Sequence, residues 1–277
     1  AADRSVGETE PVTKQRTTPH VVAYKRKIMS DLFGFTRTVV KPRYALITPD
    51  GFVTSHLPGW KNAVCVVNIS PAMTGPRFTQ LHISLEKDGT GEGNTGVNQY
   101  VIYVIEGAGT IDLAEKRHRL ERGSYIYLPP GKDLILKNSH AAPMKLLIFQ
   151  KRYVPLKSVP APVTIVAHER EVKGQPFLGN DDARLQVLLP EHQAFDLAVN
   201  IFTYQPGATL PFVETHIMEH GLLMLKGQGV YRLDGDYHPV KAGDVIWMAA
   251  YCPQWFVAMG KTPASYIYYK DVNRDPM

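Results

Sequence analysis

The feature that most constrains this chain is that it repeats itself. Gly107 and Gly123, each set against an apolar run, recur 120 residues on as Gly227 and Gly243, and Gly109 recurs as Gly229. The runs between them follow suit. QYVIYVIEG, GTIDLA and RGSYIYLPPG in the first half answer to GLLMLKG, GVYRLDG and AGDVIWMAAYCP in the second, and LLIFQ at 146–150 falls opposite Tyr266–Lys270. Agreement at two glycines is easily accidental; agreement through paired apolar runs over roughly forty residues marks an internal duplication. Each run has the length of a strand and is bounded by turn residues. The 22 glycines and 21 prolines are spread along the 277 residues rather than clustered, which suits many short strands and predicts an all-β chain.

The repeat divides the sequence. Residues 1–43 are polar, lack a sustained period and contain Pro11, Pro19 and Pro42, so an extended N-terminal arm is expected there. A first β domain is expected over 44–155. It opens with YALITPDGFVTSHL, read as two strands about a Pro49-Asp50-Gly51 turn, followed by the strand AVCVVNIS. Residues 156–182 are proline-bearing and read as a linker with a strand near Thr164–His168, and 183–277 form the second β domain.

Several partner classes drop out. The net charge of +5 comes from scattered residues without a basic stripe interleaved with aromatics, so no nucleic-acid partner is expected. No apolar run approaches the roughly 18 residues of a membrane-spanning helix, so no membrane insertion is expected. Cys65 and Cys252 are too few for a disulfide framework and read as free core thiols.

The chemistry concentrates in one stretch, GATLPFVETHIMEHGLLMLKG at 207–227. Residues two apart on a strand share a face, so Glu214 and His216 project together, and a short turn can bring His220 beside them. Further on, AGDVIWMAAYCPQWF has a Gly-Asp turn, an apolar strand, and then Gln254, whose amide oxygen can complete a four-ligand set. The first copy is an internal control. Its corresponding residues are Asn94, Gly96, Tyr100 and Leu134, which cannot hold a metal together, so a metal is expected in the second copy alone.

One carboxylate, two imidazoles and an amide oxygen, without thiolate, argue against structural zinc and for Mn, Fe(II), Ni or catalytic Zn, with Mn²⁺ favoured. Four such ligands leave open positions and a net positive charge suited to a small carboxylate substrate. The last strand, SYIYYK, places Tyr266, Tyr268 and Lys270 on one face. A lysine buried among tyrosines needs an anion; otherwise it is solvated at the strand end. Tyr231 either offers a phenol to the same pocket or packs the core.

This spacing resembles the cupin superfamily, whose first motif is G-x5-H-x-H-x3-4-E-x6-G and whose second supplies one more ligand after a G-D turn and a strand. Glu214 stands at the first His position, His216 at the second and His220 at the Glu position, with Gly227 following after six intervening residues. The chain departs from the motif in three ways: six residues rather than five precede Glu214, Glu and His have exchanged places, and Gln254 replaces the last His. From about Tyr44 to the C-terminus, and most closely in ETHIMEHGLLMLKGQGVYRL and AGDVIWMAAYCPQWF, the chain resembles the (S)-ureidoglycine aminohydrolase family of allantoin breakdown.

The resemblance implies a bicupin of two tandem jelly-roll barrels. It also implies an Mn²⁺ enzyme that exchanges the amine of (S)-ureidoglycine for hydroxyl, yielding (S)-ureidoglycolate and ammonia. A homo-oligomer, an octamer, and residence in the endoplasmic reticulum in plants are further implications. For such a substrate, Lys270 and Tyr266 would hold the carboxylate, Tyr231 would lend a phenol, and Glu214 or a neighbouring tyrosine would relay a proton. The competing readings are an Fe(II) oxygenase built on two His and one carboxylate, a cupin isomerase or lyase, and a non-catalytic bicupin.

Overall fold

A computed structural model describes residues 35–114 and 116–275. Most of the expected N-terminal arm, residues 1–34, lies outside the described residues. The strands begin with β1 (Val39–Val40), β2 (Tyr44–Ile47), β3 (Trp60–Ile69), β4 (Thr79–Asn94) and β5 (Asn98–Glu106). The first half continues with β6 (Ala108–Leu113), β7 (Lys116–Glu121), β8 (Ser124–Leu128), β9 (Asp133–Lys137) and β10 (Met144–Arg152). Next come β11 (Ile165–His168), β12 (Gln175–Phe177), β13 (Asn180–Val187), β14 (Leu197–Tyr204) and β15 (His220–Lys226). The last five are β16 (Gln228–Leu233), β17 (Asp236–Lys241), β18 (Val245–Met248), β19 (Gln254–Ala258) and β20 (Ala264–Asp271). The all-β expectation holds, with three short 3-10 turns as the helical content of the described residues.

The duplication is visible in the pairings. β10 lies between β4 and β5 with Ile148 opposite Leu81 and Ile102, and β20 lies between β14 and β15 with Tyr268 opposite Asn200 and Leu222. The glycines that betrayed the repeat are forced. Gly107 and Gly227 have φ of 82° and 69°, and a Cβ on either would stand 2.3 Å from the Pro143 carbonyl oxygen or 2.6 Å from that of Pro263, which are themselves equivalent positions.

Two features depart from the sequence reading. YALITPDGFVTSHL supplies a single strand, β2; Pro49–Gly51 then forms a 3-10 turn, and Ser55 touches Cys65 through an isolated bridge. More consequentially, β2 does not join the first copy's sheet. It pairs with β18 of the second copy, Ala45 opposite Trp247, whereas β11 from the linker pairs with β8 of the first, Ile165 opposite Tyr127. The two pairings are in equivalent register, so the copies exchange their leading strands. The exchange caps a sheet edge on each barrel that would otherwise present unpaired N–H and C=O groups. β12 and β13, at the end of the expected linker, already belong to the second barrel's sheet.

Strand alternation then sorts the side chains into three cores. One face of the first copy fills its own barrel with Leu81, Ile83, Leu85, Ile102, Ile148 and their neighbours. The matching face of the second copy fills its barrel with Phe202, Tyr204, Tyr231, Phe256, Tyr266 and Tyr268. The opposite faces of both, including Phe78, Tyr127, Phe149, Trp247, Ile267 and Tyr269, form a shared core. The two barrels therefore pack back to back, each with a private interior.

A candidate metal and anion pocket in the second barrel

The first copy runs one 16-residue strand, β4, from one layer of the barrel into the other. The second copy cannot. Pro206 and Pro211 fall where the ladder would continue, and each lacks a backbone donor. The segment instead reaches the β19 side through isolated bridges, Thr209 to Val257 and Glu214 to Gln254, the last with reciprocal backbone hydrogen bonds of 2.8 and 2.9 Å. Glu214 is thus fixed beside Gln254 at the barrel mouth. His216 follows in a loop rather than a strand, its carbonyl accepting from Tyr251 N–H at 2.6 Å, and His220 opens β15.

All seven side chains singled out from the sequence line one cavity: Glu214, His216, His220, Tyr231, Gln254, Tyr266 and Lys270. Its volume is about 150 Å³, room for a small molecule of a few heavy atoms, since one water takes roughly 30 Å³. The His216 and His220 rings lie 4.9 Å apart, and His220 stacks on Tyr268 at 5.3 Å. Gln254 bridges the set, with Nε2 2.8 Å from His216 Nε2 and Oε1 accepting from the Tyr231 hydroxyl at 3.4 Å. Tyr266 shares a 3.0 Å hydroxyl contact with Tyr204, and Asn200 donates to the Tyr268 hydroxyl at 3.1 Å.

The sequence reading omitted Asn200 and Tyr204. The signal was there: LAVNIFTY places Asn200, Phe202 and Tyr204 on one face by alternation, opposite Tyr268 and Tyr266 across the β14–β20 ladder.

Burial sets the electrostatics. Desolvation raises the Glu214 carboxyl above its ordinary value, opposed by the positive charge of Lys270. It lowers His216, with Lys270 acting in the same direction, and lowers His220 strongly, with His216 and Lys270 adding to the effect. Both imidazoles are therefore neutral near pH 7, the form in which they bind metals. Burial also pushes the phenols of Tyr204, Tyr231, Tyr266 and Tyr268 upward, so each remains a hydroxyl donor.

Among the described residues no three His, Cys, Asp or Glu side chains close around a common point as a metal cage. The donor chemistry nevertheless fits a divalent cation. His220 Nε2 and His216 Nδ1 are buried without a hydrogen-bond partner, and native interiors rarely leave such atoms unsatisfied. Half a turn of the Gln254 amide exchanges its nitrogen and oxygen, putting an acceptor where a donor now meets His216, and Tyr231 can serve either orientation because a hydroxyl both donates and accepts. The residues that would hold the ion are Glu214, His216, His220 and Gln254.

Comparison with known proteins bears on this pocket. The cupin domain family matches residues 88–149 and 200–269, one stretch in each barrel. The (S)-ureidoglycine aminohydrolase of Arabidopsis thaliana is 37% identical over 98% of this chain and 88% of its own length. That of Escherichia coli K12 is 35% identical over 92% of this chain and 97% of its own. Among solved structures, the putative glyoxylate induced protein of Pseudomonas aeruginosa superposes with a TM-score of 0.81 at 31% identity, covering 89% of this chain and 94% of that one. An oxalate decarboxylase superposes at 0.65 with 11% identity over 86% of this chain and 79% of that one, a likeness of fold alone.

Proposed function

The chain belongs to the (S)-ureidoglycine aminohydrolase family of cupin enzymes, and from that premise we propose that its second barrel is an Mn²⁺-dependent hydrolase site. It replaces the amine of (S)-ureidoglycine with hydroxyl, releasing (S)-ureidoglycolate and ammonia in allantoin catabolism. The observation that carries this reading is the pairing, in one small cavity, of the donor set Glu214, His216, His220 and Gln254 with the cation of Lys270.

Bound Mn²⁺ would supply positive charge that orients and polarises a chelating substrate. The chain's own groups do the rest. Lys270 provides the fixed cation for the substrate carboxylate, and its stem, held opposite His220 across the β15–β20 ladder, keeps that charge within the pocket. Tyr266 and Tyr231 hold hydroxyl donors at the wall. A C–N bond breaks and a C–O bond to water oxygen forms, so the departing nitrogen must gain a proton. Glu214, through an oxygen not engaged with the metal, or a neighbouring tyrosine relays that proton. The apolar side chains of Phe177, Leu185 and Phe202 exclude bulk water from the other side.

The test is ammonia release from (S)-ureidoglycine by protein stripped of metal and then given Mn²⁺. Activity is expected to vanish and return; full turnover in the stripped protein would remove the metal from the mechanism. The homo-oligomer and the endoplasmic reticulum are part of the same proposal, drawn from the family resemblance, and are checked by sedimentation and by cell fractionation.

A further inference from the structure

Arg77 belongs to the first copy, yet its side chain ends in the second. Its Nε donates to Glu219 Oε1 at 3.3 Å, its backbone N–H to both Glu219 oxygens at 3.1 and 3.2 Å, and its Nη2 to Asp271 Oδ2. Glu219 precedes His220, Asp271 follows Lys270, and His220 and Lys270 are direct cross-strand partners. Alternation points Glu219 and Asp271 out of the barrel while their neighbours point in. Asp271 Oδ1 also accepts from Glu219 N–H at 2.7 Å, closing the two strand ends to each other.

The surrounding chain is pressed into place. The Phe78 ring lies tilted against Tyr269 with centroids 4.2 Å apart, Gln80 donates to the Leu222 carbonyl at 3.3 Å, and a Cβ on Gly221 would stand 2.3 Å from the Phe78 ring.

The other barrel has the same joint with the charges inverted. Asp196, the register equivalent of Arg77, comes from the second copy and reaches into the first. It accepts from Gln99 Nε2 and, at 2.6 Å, from Lys151 Nζ, the equivalents of Glu219 and Asp271. Even the third partner matches: the Tyr127 hydroxyl donates to Gln99 at 3.0 Å as Trp247 Nε1 donates to Glu219 at 3.5 Å. Each barrel is therefore pinned by one side chain of the other copy. The pin behind the aliphatic barrel is an anion holding a lysine and an amide; the pin behind the polar pocket is a cation holding two carboxylates.

We propose that Arg77 is a positioning residue for the second-barrel site. By tying Glu219 to Asp271 it fixes the β15 and β20 ends that present His220 to the metal and Lys270 to the anion. The first copy thus holds the second copy's site in shape from behind. The arrangement also leaves a net charge of −1 in the clamp behind a pocket that gathers cations. Glu219 is 2% exposed, and Arg77 is its ion-pair partner. Removing a cation from a buried carboxylate leaves an uncompensated charge, so the strand ends must shift or admit water.

This inference rests on the metal reading above, and the experiment separates the two. Mn²⁺ is titrated into stripped wild-type protein, Arg77→Gln, Arg77→Lys and Asp196→Asn, with free Mn²⁺ followed by electron paramagnetic resonance and Tm by calorimetry. Arg77→Gln is expected to bind Mn²⁺ about 10 to 100-fold more weakly, the range for outer partners that orient metal ligands. Arg77→Lys, which keeps the charge but not the fork, should recover part of that loss. Asp196→Asn should lower Tm while binding Mn²⁺ as the wild type does. Wild-type affinity in both Arg77 variants would overturn the proposal, as would an equal loss in Asp196→Asn, which would make the clamp merely structural. If Arg77→Gln fails to fold, undiminished affinity in Arg77→Lys alone overturns it. No uptake by the wild type would instead remove the metal reading, and this inference with it.

Discussion

Seven equivalent interior positions separate the two barrels. In the first they are Leu81, Ile83, Leu85, Ile111, Leu134, Leu146 and Ile148; in the second they are Asn200, Phe202, Tyr204, Tyr231, Gln254, Tyr266 and Tyr268. The pairings of β10 with β4 and β5 match those of β20 with β14 and β15, so this part of the scaffold tolerates either lining. Aliphatic side chains interdigitate and close the interior. Phenols and amides leave a small cavity and place hydroxyl and amide groups that must be satisfied, which they achieve in pairs: Tyr204 with Tyr266, Asn200 with Tyr268, Tyr231 with Gln254. One barrel spends its interior on packing and the other on donors. The difference teaches that a polar pocket on this fold depends both on which side chains line the barrel and on the interrupted strand that carries Glu214 and His216.

That contrast can be broken most severely at the ligands. His220→Ala should reduce ammonia release by more than about 100-fold together with Mn²⁺ uptake, since even outer partners of a metal site matter at the level of 10 to 100-fold. Tyr100→Phe, at the equivalent place in the first barrel, should leave both unchanged; assays of turnover and metal content decide.

Next in size is the reverse intrusion. Leu134→Gln copies Gln254 into an interior where Ile111 stands in place of the Tyr231 hydroxyl, and an unpartnered buried amide costs about 1–3 kcal/mol, measurable as a shift in the unfolding midpoint without any gain of metal. Lys270→Met should raise KM roughly tenfold, about 1.4 kcal/mol, with kcat less affected; an unchanged KM and kcat would remove Lys270 from the site. The smallest effect is expected from Tyr266→Phe. It strips the Tyr204 hydroxyl of its partner and should lower stability by about 1 kcal/mol, read by thermal unfolding.

The duplication was legible because its punctuation is compulsory: Gly107 and Gly227 sit at positive φ with a carbonyl where a Cβ would go. The pocket's inner face was legible on β20 because alternation leaves no choice once one residue is assigned. On β14 the same rule applied, but Asn200 and Tyr204 lack the chemical signature that draws the eye to His and Glu. The candidate ligands were singled out by spacing, and their local structure differs from the strand expected: His216 lies in a loop because Pro206 and Pro211 interrupt the ladder.

Two things were beyond local pattern altogether. YALI reads as a strand in any context, and nothing within it says that its partner lies some two hundred residues ahead. Likewise Arg77 and Glu219 are 142 residues apart, and an arginine near a Gly-Pro turn is unremarkable until the fold closes.

The exchanged strands make each half depend on the other. Neither half carries its own complete barrel: severed near residue 160, the first fragment would keep β2 but lose β11, and the second would lack β2. Two chains of half this length, related by a two-fold axis, would trade these strands between molecules and exist only as an interlocked pair. Fusing them into one polypeptide turns that encounter into an intramolecular event with a high effective concentration. Once joined, the halves no longer have to be identical. In this chain one half is an aliphatic support and the other carries the polar pocket, and the exchanged strands hold both on one interlocked frame.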